Sequence, residues 1–213
     1  MSKITLIEPT DATSEVLGVS MDIPVVIARR VVRQPPWSHM LTSTFGFRKG
    51  ATPMPNLSTA PELAVSAWLN APEPLTLQSL RGRVVLLHAF QLLCPGCVTQ
   101  SIPQVQRIER VFASTDLQII GLHTVFEHHD AMSPVTLRAF LHEYRIVSPV
   151  GVDMADGQSP IPVTMRRYGF RGTPSSVLIG RDGAILHETF GVEDDLVMGA
   201  RIAMALASAG TSQ

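Results

Sequence analysis

Two cysteines that directly follow an almost uninterrupted apolar segment restrict the fold of this chain more than any other feature. The segment Arg83 to Phe90 is R-V-V-L-L-H-A-F, which is typical of a central strand buried on both faces of a sheet. Residues 94–97 are Cys-Pro-Gly-Cys. Because proline is favoured at the first position of a helix, Pro95 predicts a helix that begins at this motif. We expect the helix to extend to about Phe112 and to kink at Pro103.

The chain after residue 60 shows alternating strand and helix patterns. Apolar periodicity predicts further strands over residues 117–122, 147–152, 175–179 and 184–190, and further helices over 134–144, 162–168 and 194–207. The turn Arg181-Asp182-Gly183 joins the last two strands into a β-hairpin. This order predicts an α/β protein with a mixed central sheet flanked by helices, which is the arrangement of a thioredoxin-like fold. The apolar side of the last helix is expected to contain Leu196, Val197, Ala200, Met204 and Leu206.

Composition and charge narrow the domain organisation and the classes of partner. Hydrophobic residues make up 45% of the 213 residues and charged residues 16%, which is sufficient for a substantial core. We expect a thioredoxin-like domain over residues 60–213. An N-terminal extension or arm, residues 1–59, precedes it and shows no repeat or motif. The formal net charge is −1, so no basic excess indicates a nucleic-acid partner.

The N-terminal segment and the cysteine content predict the compartment. Residues 1–15 carry acidic side chains and no long apolar stretch, unlike a secretory signal. No segment approaches the roughly 18 consecutive apolar residues of a membrane span, so no membrane partner is expected. The chain has only two cysteines, whereas secreted disulfide scaffolds have several. These features predict a cytoplasmic protein, in which two close cysteines are more often catalytic or metal-binding than structural.

The start of a helix predicts different roles for the two cysteines. Unpaired backbone N–H groups and the helix dipole stabilise an anion at that end. We therefore expect Cys94 to have a lowered pKa and to be the attacking thiolate. The spacing places Cys97 within disulfide reach, where it can resolve a mixed disulfide. No cofactor is expected for this chemistry.

Two other interpretations of the cysteines remain open. The pair could be two inert buried thiols, or half of a zinc site. Zinc needs two more ligands, for which the candidates are His123, His128, His129 and Asp130. Because three of these residues lie in one polar loop that is more simply solvated, no metal site is expected.

Several segments outside the cysteine motif follow a pattern shared by one family. Residues 74–87 are P-L-T-L-Q-S-L-R-G-R-V-V-L-L, ahead of the dithiol. The pattern continues in Ala60–Leu63, Trp68–Asn70, Gly121–Thr124, Tyr168–Pro174, Leu178–Ile179 and Asp182–Gly183. Over about residues 60–208 the chain resembles the thioredoxin-like domains of the TlpA and redoxin group. The resemblance implies a thiol–disulfide oxidoreductase.

The resemblance also implies the substrate-binding residues. Pro174 would be a cis-proline that faces the dithiol and exposes the backbone of Thr173 to a substrate chain, although an ordinary turn is the alternative. His123 would be the nearest residue of a loop, His123 to Met132, that lines the substrate groove. Pro95 completes the predicted set. The more solvated residues of the loop are expected to be Glu127, His128 and His129.

Three features around the cysteine motif depart from the family pattern. Leu93 stands where a tryptophan usually precedes the first cysteine, and the more common Gly-Pro dipeptide is inverted at residues 95–96. Pro103 comes one residue later than the usual kink proline. These departures concern the redox potential and the substrate rather than the fold.

His88 lies six residues before Cys94, at the strand position where thioredoxins usually hold a buried aspartate. By the resemblance, this residue lies beneath the second cysteine and exchanges protons with it. Burial lowers the pKa of a histidine, so a neutral His88 would accept the proton of Cys97 as that thiol attacks the mixed disulfide. The alternative is a core histidine satisfied by one hydrogen bond.

Three functions follow from these residues. The first is a dithiol reductase of protein or small-molecule disulfides that draws on an unidentified electron donor. The second is a peroxiredoxin-like peroxidase, but the proline and threonine that usually lie seven and three residues before a peroxidatic cysteine are absent. Those positions hold Leu87 and Gln91 before Cys94, and Phe90 and Cys94 before Cys97. The third is a non-enzymatic redox sensor or docking module, with the N-terminal arm as its interface. The same arm could form a homodimer contact.

Overall fold

A computed structural model describes residues 58–208 of the chain. The strands are β1 (Val65–Leu69), β2 (Val84–Phe90), β3 (Leu117–His123), β4 (Val150–Asp153), β5 (Ser175–Ile179) and β6 (Ile185–Phe190). The helices are α1 (Ile102–Val111), α2 (Pro134–Glu143), α3 (Val163–Arg167) and α4 (Asp195–Ala207). A π-helical turn, Cys97–Ser101, precedes α1, and a 3₁₀ turn, His129–Met132, precedes α2. Within these residues the strands form one mixed sheet in the order β1-β4-β3-β2-β5-β6, which confirms the predicted thioredoxin-like fold.

The strand β2 lies at the centre of the sheet, and all seven of its residues are buried, as its apolar run predicts. It pairs in parallel with β3 and antiparallel with β5. On one face, Leu86 packs in a cluster with Ile108 of α1 and Ile202 of α4. On the other face, Leu87 packs in a cluster with Tyr168. Core on both faces therefore holds the strand that leads into the cysteine motif.

The helix that begins at Pro95 is confirmed, but its irregularity lies one turn earlier than predicted. Residues 97–101 form the π-helical turn, in which the N–H of Ile102 donates to the carbonyl oxygen of Cys97, five residues back. Pro103 has no N–H to donate to the preceding turn, so the ordinary helical hydrogen bond is missing at this point. The π-helical turn, which is wider than an α-helical turn, therefore lies just before the proline.

The apolar side predicted for α4 is wrong in part. The buried residues are Met198, Ile202 and Ala205, whereas Leu196 is 83% exposed and Met204 is 72% exposed. Nearly every residue of this helix is apolar, so periodicity alone does not determine which side faces the sheet. The carboxylate of the cap residue, Asp194, accepts from the N–H of Leu196 at 2.9 Å and fixes where the helix begins. Packing of Met198 and Ile202 against the sheet determines the buried side.

The strand β1 was not predicted, and β4 begins later than expected. β1 is a short edge strand with a mixed burial pattern, so it lacks both an apolar run and a regular alternation. It pairs antiparallel with β4 and lies against Gly151, where a Cβ atom would come within 2.9 Å of Val65. Val147, the predicted first residue of β4, is exposed in the preceding loop.

No helix between residues 58 and 208 has the length and apolar character needed to cross a bilayer. Of the predicted N-terminal arm, only its last two residues, Ser58 and Thr59, belong to the described part of the chain. Thr59 forms an antiparallel bridge with Ala184 in the turn between β5 and β6. The arm's boundary at residue 59 and a homodimer through it stay predictions.

Two methionines on α4 provide a test of the corrected helix orientation. Met198→Ala removes a side chain that is 3% exposed and should cost about 2–5 kcal/mol in the free energy of unfolding. Met204→Ala truncates the same residue type at an exposed position and should change that free energy by less than about 0.5 kcal/mol. Urea unfolding of the oxidised protein measures both. Equal losses would contradict the assignment of the buried side.

Candidate active site

The cysteine motif lies at the C-terminal end of β2. A turn leads out of the strand, and the N–H of Cys94 donates to the carbonyl oxygen of Gln91 at 3.4 Å. Cys94 and Cys97 form a disulfide, with their Cα atoms 5.2 Å apart, within the range that disulfides allow. Cys97 is fully buried, whereas Cys94 is partly exposed. An incoming substrate can therefore reach the sulfur of Cys94 before that of Cys97.

A backbone amide of the helix start points at the exposed sulfur. The N–H of Cys97 donates to Sγ of Cys94 at 3.1 Å, and the helix begins at Pro95. An amide in this position donates more strongly to an anion than to a neutral sulfur. The helix start is thus arranged to stabilise a thiolate at Cys94 once the disulfide is reduced.

The loop before β5 faces the dithiol. The peptide bond between Thr173 and Pro174 is cis, which confirms the predicted cis-proline. The carbonyl oxygen of Thr173 lies 3.4 Å from Sγ of Cys94. A Cβ atom on Gly96 would lie 3.5 Å from Cδ of Pro174, so the proline ring stands directly against the middle of the motif. The backbone of Thr173 and the ring of Pro174 therefore border the reactive sulfur.

Gln91 ties this loop to the segment that carries the cysteines. Its side chain is buried, and its Nε2 lies 3.4 Å from Oγ1 of Thr173, to which it donates. Its Oε1 has no hydrogen-bond partner among the described residues. No local pattern indicated this role, because a glutamine after an apolar strand is usually taken as the first polar residue of a loop.

His88 is buried beneath the helix and contacts Ser101. Its Nε2 lies 3.0 Å from Oγ of Ser101, and its ring stacks on that of Phe90 with centroids 5.7 Å apart. Burial lowers the pKa of His88 to about 4. Oγ of Ser101 also donates to the carbonyl oxygen of Cys97 at 3.3 Å. His88 is therefore linked to the second cysteine through a residue that the sequence analysis did not identify.

A small cavity borders His88 on the side of α1. Its volume is about 20 Å³, close to the space that one water molecule requires. Polar side chains in its lining are Gln106, Glu109 and Ser148. Burial raises the pKa of Glu109, and the neighbouring Arg110 partly offsets the shift. Glu109 is the other titratable residue that lines this cavity.

His123 lies at the same edge of the sheet but is buried. Its ring packs at a tilt against that of Phe90 with centroids 5.6 Å apart, and burial lowers its pKa to about 4. The following residues Glu127, His128 and His129 are exposed, as predicted. Because its side chain is buried against Phe90, a direct contact of His123 with substrate stays a prediction.

The residues proposed as zinc ligands do not come together. His123 is buried, whereas His128, His129 and Asp130 are exposed. Among residues 58–208, no group of three histidine, cysteine, aspartate or glutamate side chains is close enough to hold a metal ion. The cysteines are instead joined to each other.

Exposed apolar side chains belong to the two segments that border the half-buried Cys94. Leu93 is 56% exposed and Pro95 is exposed, on either side of Cys94 in sequence, and Phe190, which is 53% exposed, lies against the loop of Thr173 and Pro174. Phe190 packs against Gly172, where a Cβ atom would lie 3.2 Å from its ring. The guanidinium of Arg171 lies 4.7 Å from the centroid of the same ring. Such a rim can bind an extended polypeptide or an apolar small molecule.

Comparisons with known proteins agree with this geometry. The Redoxin family model matches residues 51–201. A crystal structure of a thioredoxin-like superfamily protein is 49% identical, with a TM-score of 0.69, and the match covers 71% of this chain and 97% of that protein. A thiol-disulfide isomerase from Corynebacterium glutamicum is 44% identical, with a TM-score of 0.68, over 72% of this chain and 99% of the isomerase.

The chain is 30% identical to Protein DipZ of Mycobacterium tuberculosis and of Mycobacterium bovis. It extends over 148 residues and 68% of this chain. The chain spans 20% of the length of these relatives. The family match, the two similar structures and the disulfide at the start of the helix together identify a thioredoxin-like thiol–disulfide oxidoreductase. The chain belongs to the Redoxin family.

Proposed function

We propose that the protein reduces disulfides in proteins or small molecules, with Cys94 as the attacking thiol and Cys97 as the resolving thiol. The observation that carries this assignment is the difference in burial between the two sulfurs, of which only that of Cys94 is accessible. The direction of electron flow rests on the reducing, cytoplasmic compartment that the cysteine content predicts. An unidentified dithiol or thiol donor would return the protein to its reduced form.

The reaction proceeds through one covalent intermediate. The thiolate of Cys94 attacks a substrate disulfide, a bond forms between the two sulfurs, and the first substrate thiolate leaves. Cys97 then attacks the sulfur of Cys94, which releases the second substrate thiolate and forms the internal disulfide. Two electrons pass from the dithiol to the substrate. Each released thiolate takes up one proton, and Cys97 gives up its own.

We assign substrate binding to the exposed backbone and apolar rim beside Cys94. The carbonyl oxygen of Thr173 can accept from an amide of an extended substrate segment, and Pro174 limits how close that segment comes. Leu93 and Pro95, which flank Cys94 in sequence, are both exposed. His123 lies buried at the same edge of the sheet.

We assign to His88 the proton that Cys97 loses during resolution. With a pKa of about 4, His88 is neutral at physiological pH and has a free lone pair to accept it. The same low pKa means that it cannot deprotonate a resting thiol, whose ordinary pKa is about 8.5. The proton therefore moves only as the sulfur of Cys97 bonds to Cys94. The small cavity lined by His88 and Glu109 gives the proton a route toward solvent.

Alkylation and trapping test the assignment of the two thiols. Iodoacetamide should label Cys94 first in the reduced protein, with an apparent pKa below the ordinary value of about 8.5. Cys97→Ser should accumulate a mixed disulfide with a model disulfide substrate, whereas the matched variant Cys94→Ser should form none. Mass spectrometry of the trapped species identifies the labelled residue. Faster labelling of Cys97 would reverse the roles.

Rapid-quench kinetics test the role of His88. His88→Ala should slow the decay of the mixed disulfide by about a hundredfold, the lower end of general-base effects, because His88 is a weak base. The first attack by Cys94 should keep its rate. Only neutral His88 accepts a proton, so its contribution should persist at neutral pH and be lost as the pH falls through about 4.

His88→Gln is the matched control for packing, because its amide can still bind Ser101 but is not basic. It should be as slow as His88→Ala in the second step. If both folded variants resolve the mixed disulfide at the wild-type rate, His88 is a packing residue and the alternative interpretation stands.

The peroxidase alternative receives a separate test. Leu87, at one of the two positions that a peroxiredoxin uses, is buried in the strand β2, and the other position holds Gln91. No threonine hydroxyl is therefore available there to orient a peroxide. Stopped-flow oxidation of the reduced protein by hydrogen peroxide should proceed at the rate of an ordinary thiolate. A rate orders of magnitude faster would favour the peroxidase.

A further inference from the structure

Two departures from the family pattern meet at one side chain in the structure. The first is the histidine at position 88, where thioredoxins usually hold a carboxylate. The second is the position of Pro103, one residue later than the usual kink proline. Ser101 lies in the segment lengthened by that residue, and its Oγ is 3.0 Å from Nε2 of His88.

The extra residue is accommodated by the π-helical turn. The N–H of Ile102 donates to the carbonyl oxygen of Cys97, five residues back, whereas an α-helical hydrogen bond reaches four residues back. A π turn holds one more residue than an α turn, so α1 continues beyond Pro103 as a regular helix. Turns of this kind occur frequently at functional sites. Here the turn directs the side chain of Ser101 toward the sheet, where it is buried.

The hydrogen bonds of Ser101 favour one tautomer of His88. Serine in a helix commonly donates its one hydroxyl proton to a preceding carbonyl oxygen, and Oγ of Ser101 donates to the carbonyl oxygen of Cys97 at 3.3 Å. The oxygen of Ser101 is then free only to accept. With the hydroxyl proton directed to that carbonyl oxygen, the hydrogen bond between Ser101 and His88 is one in which Nε2 donates.

We propose that Ser101 is a positioning residue, which holds the ring of His88 in one orientation and one tautomer for the proton transfer that accompanies resolution by Cys97. The inference rests on the proposed function. In this step the sulfur of Cys97 bonds to Cys94, and the bond between Cys94 and the substrate sulfur breaks. The substrate leaves as a thiolate with the electron pair, and the proton of Cys97 passes to the unprotonated ring nitrogen of His88.

The kinetic test compares Ser101→Ala with a hydroxyl variant on the same stretch of helix. Ser101→Ala should slow the decay of the mixed disulfide by about tenfold, as expected when a working histidine loses the group that orients it, and leave its formation unchanged. Thr99→Ala is the matched control. Oγ1 of Thr99 also donates to a carbonyl four residues back, that of Pro95 at 2.8 Å, but is exposed, so this variant should keep both rates.

Three further measurements separate positioning from stability. ¹⁵N NMR of histidine-labelled protein, assigned with His88→Gln, should show the Nε2–H tautomer of His88 in the wild type and a mixture in Ser101→Ala. Ser101→Thr retains the hydroxyl and should restore the resolution rate. The double variant His88→Ala/Ser101→Ala should resolve no more slowly than His88→Ala alone, because the two residues act as one unit.

The outcomes are distinguishable. Wild-type resolution in Ser101→Ala with slow resolution in His88→Ala would overturn the role of Ser101 and leave the proposed function intact. Independent, multiplicative effects in the double variant would also overturn it. If no mixed disulfide forms on Cys94 at all, the proposed function itself fails, and the inference fails with it.

Discussion

The pairing of β2 with a parallel strand on one side and an antiparallel strand on the other determines the whole site. Because β5 runs antiparallel, its first residue, Ser175, lies opposite Ala89 near the end of β2. The cis-proline loop that precedes β5 is thereby brought against the cysteine motif that follows β2. Because β3 runs parallel, its last residue, His123, ends at the same edge beside Phe90. Three segments distant in sequence thus converge, and the hydrogen bond from Gln91 to Thr173 joins two of them directly.

The sequence was sufficient for the parts of this arrangement that depend on local patterns. The apolar run of β2, the proline at the helix start and the Thr173–Pro174 pair each have a recognisable local cause, and each lies where it was predicted. The orientation of α4 could not be predicted, because Leu196 and Met198 are equally apolar and only the packing against the sheet distinguishes them. The edge strand β1 likewise depends on its neighbour, since Gly151 leaves the space that it occupies.

The contacts of His88 show a second limit of sequence reasoning. The family resemblance implied a buried residue at this position, and His88 is buried. It did not indicate Ser101, through which His88 is linked to the carbonyl oxygen of Cys97. Ser101 is the last residue of the π-helical turn, and a turn of that kind follows from the spacing to Pro103 rather than from any residue's own propensity. A one-residue shift in a helix moves side chains by about 100° around its axis. The spacing between Cys97 and Pro103 therefore also affects whether Ser101 faces His88.

Burial of an imidazole in place of a carboxylate changes the electrostatics beneath the dithiol. A buried carboxylate would repel a nearby thiolate, whereas neutral His88 adds no charge. The thiolate of Cys94 is then stabilised by the N–H of Cys97 without an opposing charge from position 88. A stabilised thiolate favours the dithiol over the disulfide and makes the pair a better electron acceptor. The pair can therefore reduce only substrate disulfides of still higher potential, and a dithiol or thiol donor of lower potential can return it to its reduced form.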